Sequence, residues 1–125
     1  MPKYWLAAYK SASNLSTIST MKLSISGNTL YADNLKVCFC EAGNERTSIP
    51  AGHYPVTIEF SHVHDLELPK ADGIGWIGAS HGCDIVLGGV IGSSGVIPSR
   101  NPLGRLLAMI QAKEDMGSSV TLEVA

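Results

Sequence analysis

The run Ser80-His81-Gly82-Cys83 places a nucleophile, an imidazole and a glycine within four residues. A cysteine attacks as its thiolate, so it needs a neighbour that takes its proton or stabilises the anion, and histidine does either near neutral pH. Gly82 lets the backbone turn sharply beside a substrate. The amides of Gly82 and Cys83 can face a developing oxyanion. Ser80 adds a hydroxyl able to bond the imidazole or a substrate carboxylate. This combination suits acyl transfer through a thioester, with Cys83 as nucleophile.

Two sources of base are open. Positions 81 and 83 share a face of an extended chain, which brings His81 to Cys83. His62 and His64 lie upstream, with 17 and 15 residues between them and Ser80. Each residue also has a plainer reading: a free cysteine is most often a small buried apolar side chain, His81 can bond local backbone, and His62 and His64 can face solvent. Asp84 follows the cysteine, and an acidic neighbour repels a thiolate.

Other chemistries fit less well. Cys38, Cys40, Cys83 and four histidines are metal-capable, yet no cysteine pair has the two-to-four-residue gap of a zinc site, and His62-Val63-His64 is the nearest to a chelating pair. The glycines at 73, 75 and 78 are followed by a strand instead of the helix that a phosphate loop requires. Neither a metal nor a cofactor is expected. Cys38 and Cys40 share one face of a strand pattern and read as core thiols.

The elements that must position these residues are mostly strands. Tyr4–Lys10, Ser16–Ser26, Thr29–Ala32, Asn34–Glu41, Tyr54–Phe60, Ile74–Ile77 and Ile85–Leu87 carry the pattern, with turn chemistry at Ser26-Gly27-Asn28 and Ile49-Pro50-Ala51-Gly52. Pro55 implies an edge position or a strand entry. The segments 61–72 and 88–99 read as an irregular charged excursion and a glycine-serine loop. Asn101 and Pro102 open a helix with Leu103, Leu106, Leu107 and Ile110 on one face. Gly117 closes it, and Val120–Val124 alternates as a last strand. The expected fold is α+β and mainly β, a sandwich or barrel-like sheet with one C-terminal helix followed by a final strand.

At 125 residues the chain reads as a single domain, 1–125. A charged fraction of 16% and a net charge of −2 leave no basic footprint for nucleic acid. No stretch approaches the roughly 20 apolar residues of a membrane span. The short apolar patch Tyr4–Tyr9 does not make a secretory leader, and three cysteines form an odd set, so reduced thiols and a cytoplasmic default are expected.

Ser80 to Cys83, with a histidine upstream, resembles the motif of YkuD-type L,D-transpeptidases. In that family the cysteine attacks a carbonyl of a peptidoglycan stem peptide and passes the acyl group to an amine or to water, and the upstream histidine is the base. The motif normally continues with an apolar residue and then arginine or asparagine, where this chain has Asp84 and Ile85.

A wider stretch, residues 4–124, resembles a family of small uncharacterised bacterial and phage domains thought to be distant relatives of that fold. Ile49-Pro50-Ala51-Gly52-His53-Tyr54-Pro55-Val56 is the most specific piece. Members carry a histidine in the strand before the glycine-cysteine pair, where Trp76 and Ile77 stand here. The resemblance implies a transpeptidase-like fold and a peptide or peptidoglycan fragment as partner. Peptidoglycan lies outside the membrane, so phage lysis or a secretion machine would have to release the protein. The competing class is an inactive structural or binding module of a phage or mobile element.

Overall fold

The computed structural model describes residues 20–125. The expected strand Tyr4–Lys10 and the first part of Ser16–Ser26 lie outside the described residues. The rest of that second segment is β1 (Met21–Ser26), where Met21, Leu23 and Ile25 point into the core and Lys22, Ser24 and Ser26 away from it. A two-residue turn with Gly27 at φ +60° leads to β2 (Thr29–Ala32). Asp33 and Asn34, both at positive φ, form the next turn. These residue types tolerate the left-handed region, and such turns match the twist of the flanking strands.

The following strands are β3 (Leu35–Ala42), β4 (Gly52–Ser61), β5 (Leu66–Ala71), β6 (Gly75–Gly78), β7 (Ile85–Gly92) and β8 (Gly95–Pro98). Helix α1 (Arg100–Asp115) and strand β9 (Val120–Val124) complete the described chain. The sheet order is β3-β2-β1-β9-β4-β5-β6-β7-β8, and β3 also pairs with β7. Eight strands therefore close into a barrel, with β8 hairpinned onto the far half of β7. The mainly β expectation holds, and of its two forms the barrel-like sheet is the one observed.

Two segments depart from the sequence reading. The stretch 61–72 is mostly strand, because β5 pairs with β4 from Val56↔Ala71 to Ser61↔Leu66. Pro69 is tolerated there since β6 flanks β5 only at Lys70 and Ala71, which leaves one edge of the strand free at the proline. The stretch 88–99 is largely the β7–β8 hairpin, and Glu41 Oε1 accepts a hydrogen bond from Val96 N at 2.8 Å. Gly88 suggested a loop, but a Cβ there would collide with the Ile97 carbonyl. The glycine serves close backbone approach within a strand.

Helix α1 begins two residues earlier than a cap at Asn101 with Pro102 in the first helical position implies. Ser99 is the N-cap and its Oγ accepts from Asn101 N, so Pro102 falls inside the first turn, where its missing N–H leaves no intrahelical bond unmade. At the other end Gly117 N donates to Glu114 O and Ser118 N to Lys113 O, with Gly117 at φ +78°, the paired closure that glycine favours. Leu103, Leu106 and Ile110 join the core of the barrel. Cys38 and Cys40 sit in that core as free thiols, and burial pushes them up to about 11 and about 12. Among the described residues no helix is long and apolar enough to cross a membrane.

Candidate active site

His64 is held by the tight turn between β4 and β5. Ser61 ends β4 fully buried, its carbonyl accepts from Asp65 N at 2.7 Å, and Asp65 takes φ +59° to turn the chain into β5. Ser61 Oγ caps this single turn by accepting from His64 N at 3.2 Å. The same oxygen lies 2.7 Å from His64 Nδ1. One hydroxyl therefore fixes both the backbone and the ring of His64, and Trp76 on β6 stands edge-on to the imidazole with centroids 6.4 Å apart.

Cys83 comes from the six-residue connection 79–84 between the parallel strands β6 and β7. Parallel neighbours ordinarily need a dozen or more linking residues, so this loop is compact. Cys83 N donates to Ser80 O at 3.1 Å, closing the turn. The loop 43–46 supports it from behind: Gly43 N donates to Asp84 O and Asn44 N to His81 O. A side chain on Gly43 would collide with the Cys83 carbonyl. On the inner side a Cβ on Gly78 would stand 2.5 Å from Cys83 Sγ, so this glycine makes room for the sulfur.

These two turns bring Cys83 Sγ to 3.6 Å from His64 Nε2, and Ser80 Oγ lies 3.6 Å from the same sulfur. Ser61, His64 and Cys83 thus form a chain of contacts: an orienting hydroxyl, an imidazole and a thiol. With the proton on Nδ1 donated to Ser61 Oγ, the Nε2 lone pair is free to accept the Cys83 S–H. This is the nucleophile, base and orienting-group pattern of covalent acyl transfer.

The structure separates the other sequence candidates from the sulfur. His81 is exposed beside the β7–β8 hairpin, lining a shallow depression with Val96, Ile97 and Pro98, and only its backbone carbonyl supports the cysteine turn. His62 is also exposed and packs against the Phe60 ring at 4.9 Å. The extended backbone that would have aligned His62 with His64 is replaced by the turn. Gly82 adopts no left-handed φ, and a Cβ there would stand 3.8 Å from His64 Nε2. With Ser80 Oγ at 3.9 Å as the next neighbour, these are ordinary contacts, so neither backbone conformation nor crowding requires a glycine at this position. The Cys83 amide is engaged by Ser80 O, which leaves the Gly82 amide as the unbonded one of the expected oxyanion pair among the described residues.

Asp84 does not face the sulfur. Its Oδ2 accepts from Trp76 N at 2.9 Å, and its Oδ1 lies 3.2 Å from Asn44 Nδ2 and 3.6 Å from Arg46 Nε. Arg46 is anchored in turn on Ile74 O at 2.8 Å. The expected repulsion of a thiolate is thus offset by a guanidinium, and the carboxylate instead ties the cysteine loop to β6.

Cys83 is 1% exposed, yet it lines a cleft of about 320 Å³ that also contains His64 and Ser80. One wall is β5, through Leu66 and Leu68. A second wall is the face of α1 carrying Arg100, Leu103, Gly104 and Leu107. The β7–β8 hairpin does not line this cleft. Gly104 lies inside a helix, where glycine costs about 1 kcal/mol relative to alanine, and a Cβ at that position would meet nothing within 4 Å. Sequence reading missed Ser61, Gly78 and this helix face. The Ser-x-x-His spacing at the end of an alternating strand was the available signal for Ser61.

Among the described residues no three His, Cys, Asp or Glu side chains converge as a metal-binding group. Comparison with known proteins finds no matching family model, no matching curated protein and no matching solved structure.

Proposed function

We propose that the protein is a cysteine-dependent acyltransferase or hydrolase acting on peptide amides, distantly related to L,D-transpeptidases, with peptidoglycan-type stem peptides as the substrate class. The observation that carries this reading is the Ser61–His64–Cys83 contact chain opening on an apolar cleft. Cys83 passes its proton to His64 Nε2 and its sulfur attacks the amide carbonyl, forming a C–S bond. The imidazolium returns the proton to the leaving nitrogen as the C–N bond breaks, leaving a thioester. An amine or water then attacks, giving its proton to His64. The C–S bond breaks and the imidazolium reprotonates the departing sulfur. The Gly82 amide faces the developing oxyanion.

The test is intact-mass measurement after incubation with stem-peptide fragments and, separately, with a carbapenem. An acyl adduct mapped to Cys83 and absent from Cys83→Ser supports the proposal. Absence of any adduct, together with no released amine, overturns it. One observation favours a non-enzymatic module instead: Cys83 is almost fully enclosed, with its sulfur against Gly78. An inert sulfur in these incubations would decide for that module.

A further inference from the structure

The cleft is apolar along both walls, and Arg100 is the only permanently charged side chain among the residues lining it. Among the described residues its guanidinium makes neither an ion pair nor a hydrogen bond, whereas Arg46 and Arg105 are each anchored on a backbone carbonyl. Arg100, Leu103, Gly104 and Leu107 fall at i, i+3, i+4 and i+7, a single face of α1 turned toward the sulfur's cleft. Gly104 keeps that face bare one turn beyond Arg100, in open space and with no left-handed φ to require a glycine. A helix that accepts glycine there gains nothing in packing, and it adds no side chain to the lining of the cleft at this position.

The geometry points to a substrate that carries a free carboxylate, held by Arg100 while its acyl carbon lies over Cys83 Sγ and its aliphatic part rests on Leu66, Leu68 and Leu103. Guanidinium and carboxylate match as planar bidentate partners. An unpaired cation beside leucine-lined walls selects for an anion and against a second cation. Arg100 is therefore a specificity-determining residue, and the assignment rests on the proposed thiol chemistry at Cys83.

Iodoacetate and iodoacetamide differ in little more than a carboxylate against a neutral amide, and both alkylate thiolates. The measurement is the ratio of their rates at Cys83, mapped by mass spectrometry and divided by the same ratio for N-acetylcysteine. Expected is a normalised ratio above one by about tenfold or more. It should fall to near one in Arg100→Gln, stay raised in Arg100→Lys, and leave the iodoacetamide rate little changed in both. A rapid iodoacetamide reaction with a ratio that Arg100→Gln does not alter overturns the carboxylate assignment and leaves the thiol chemistry standing. A Cys83 inert to both reagents overturns the two together.

Discussion

His64 Nε2 stands 3.6 Å from Cys83 Sγ, although 19 positions separate the two residues along the chain. The contact exists because two tight turns, one closing the β4–β5 hairpin and one linking the parallel strands β6 and β7, meet at the same cleft. The two histidines nearest in kind, His62 and His81, belong to the same turns but point elsewhere.

This arrangement separates the histidines by experiment. Replacing His64 with Gln should lower the rate of Cys83 acylation by about 10²–10⁴, the range for loss of a positioned base. Replacing His81 with Asn should leave it within about twofold, the scale of an exposed substitution away from the site. Single-turnover acylation followed by mass spectrometry checks both. A larger loss in the His81 variant would reassign the base.

Ser61→Ala removes the oxygen that both caps the turn and touches Nδ1. The expected result is a loss of about 1–2 kcal/mol of stability, as for loss of an N-cap or a buried hydrogen bond. A fall in acylation rate smaller than that of His64→Gln should accompany it. Urea denaturation and the acylation assay together separate the two effects. Ser61→Thr, which keeps the hydroxyl, should recover part of the rate.

Gly78→Ala tests how tightly the sulfur is seated. The added Cβ would stand 2.5 Å from Sγ, so the sulfur or β6 must shift, with an expected destabilisation of about 1–3 kcal/mol from overpacking. The same substitution at Gly104, whose Cβ meets nothing, should raise stability by up to about 1 kcal/mol. Chemical denaturation of the two variants checks the contrast in sign.

Cys38 and Cys40 give the fold a pH dependence of known direction. Both thiols are raised from 9.0, to about 11 and about 12, chiefly because burial disfavours the thiolate. The folded state thus holds these protons more tightly than the unfolded chain. Their contribution is fully present below pH 9 and declines as pH rises from there toward the folded values. Each thiol accounts for a loss of at most about 1.4 kcal/mol per pH unit in that window. Denaturation midpoints of the wild type and of the Cys38→Ala/Cys40→Ala variant, measured from pH 7 to 10.5, should show the steeper decline in the wild type.

Alternation made most strands readable from sequence, and the i, i+3, i+4, i+7 pattern made the helix readable. Reading failed where one residue served two masters. Pro69 and the surrounding charges concealed β5 because a proline is acceptable on a strand with a free edge. Gly88 concealed the β7–β8 hairpin because it answers a neighbouring backbone instead of a turn. At the site, the cysteine, the serine of its turn and His64 were legible as residue types. The choice of His64 over His81 was not, since it depends on the turn at Asp65 and on a hydroxyl that no motif marks. Asp84 read as an obstacle for a similar reason: its partners Arg46, Asn44 and Trp76 N come from other elements.

The most direct test of the Cys83–His64 pair is the order in which the three cysteines react with iodoacetamide in the native protein at pH 7. Expected is modification of Cys83 well ahead of the core thiols Cys38 and Cys40, slowed at least about tenfold by His64→Gln, the low end for loss of a positioned base. Labelling of Cys83 only after denaturation, together with Cys38 and Cys40, would contradict it.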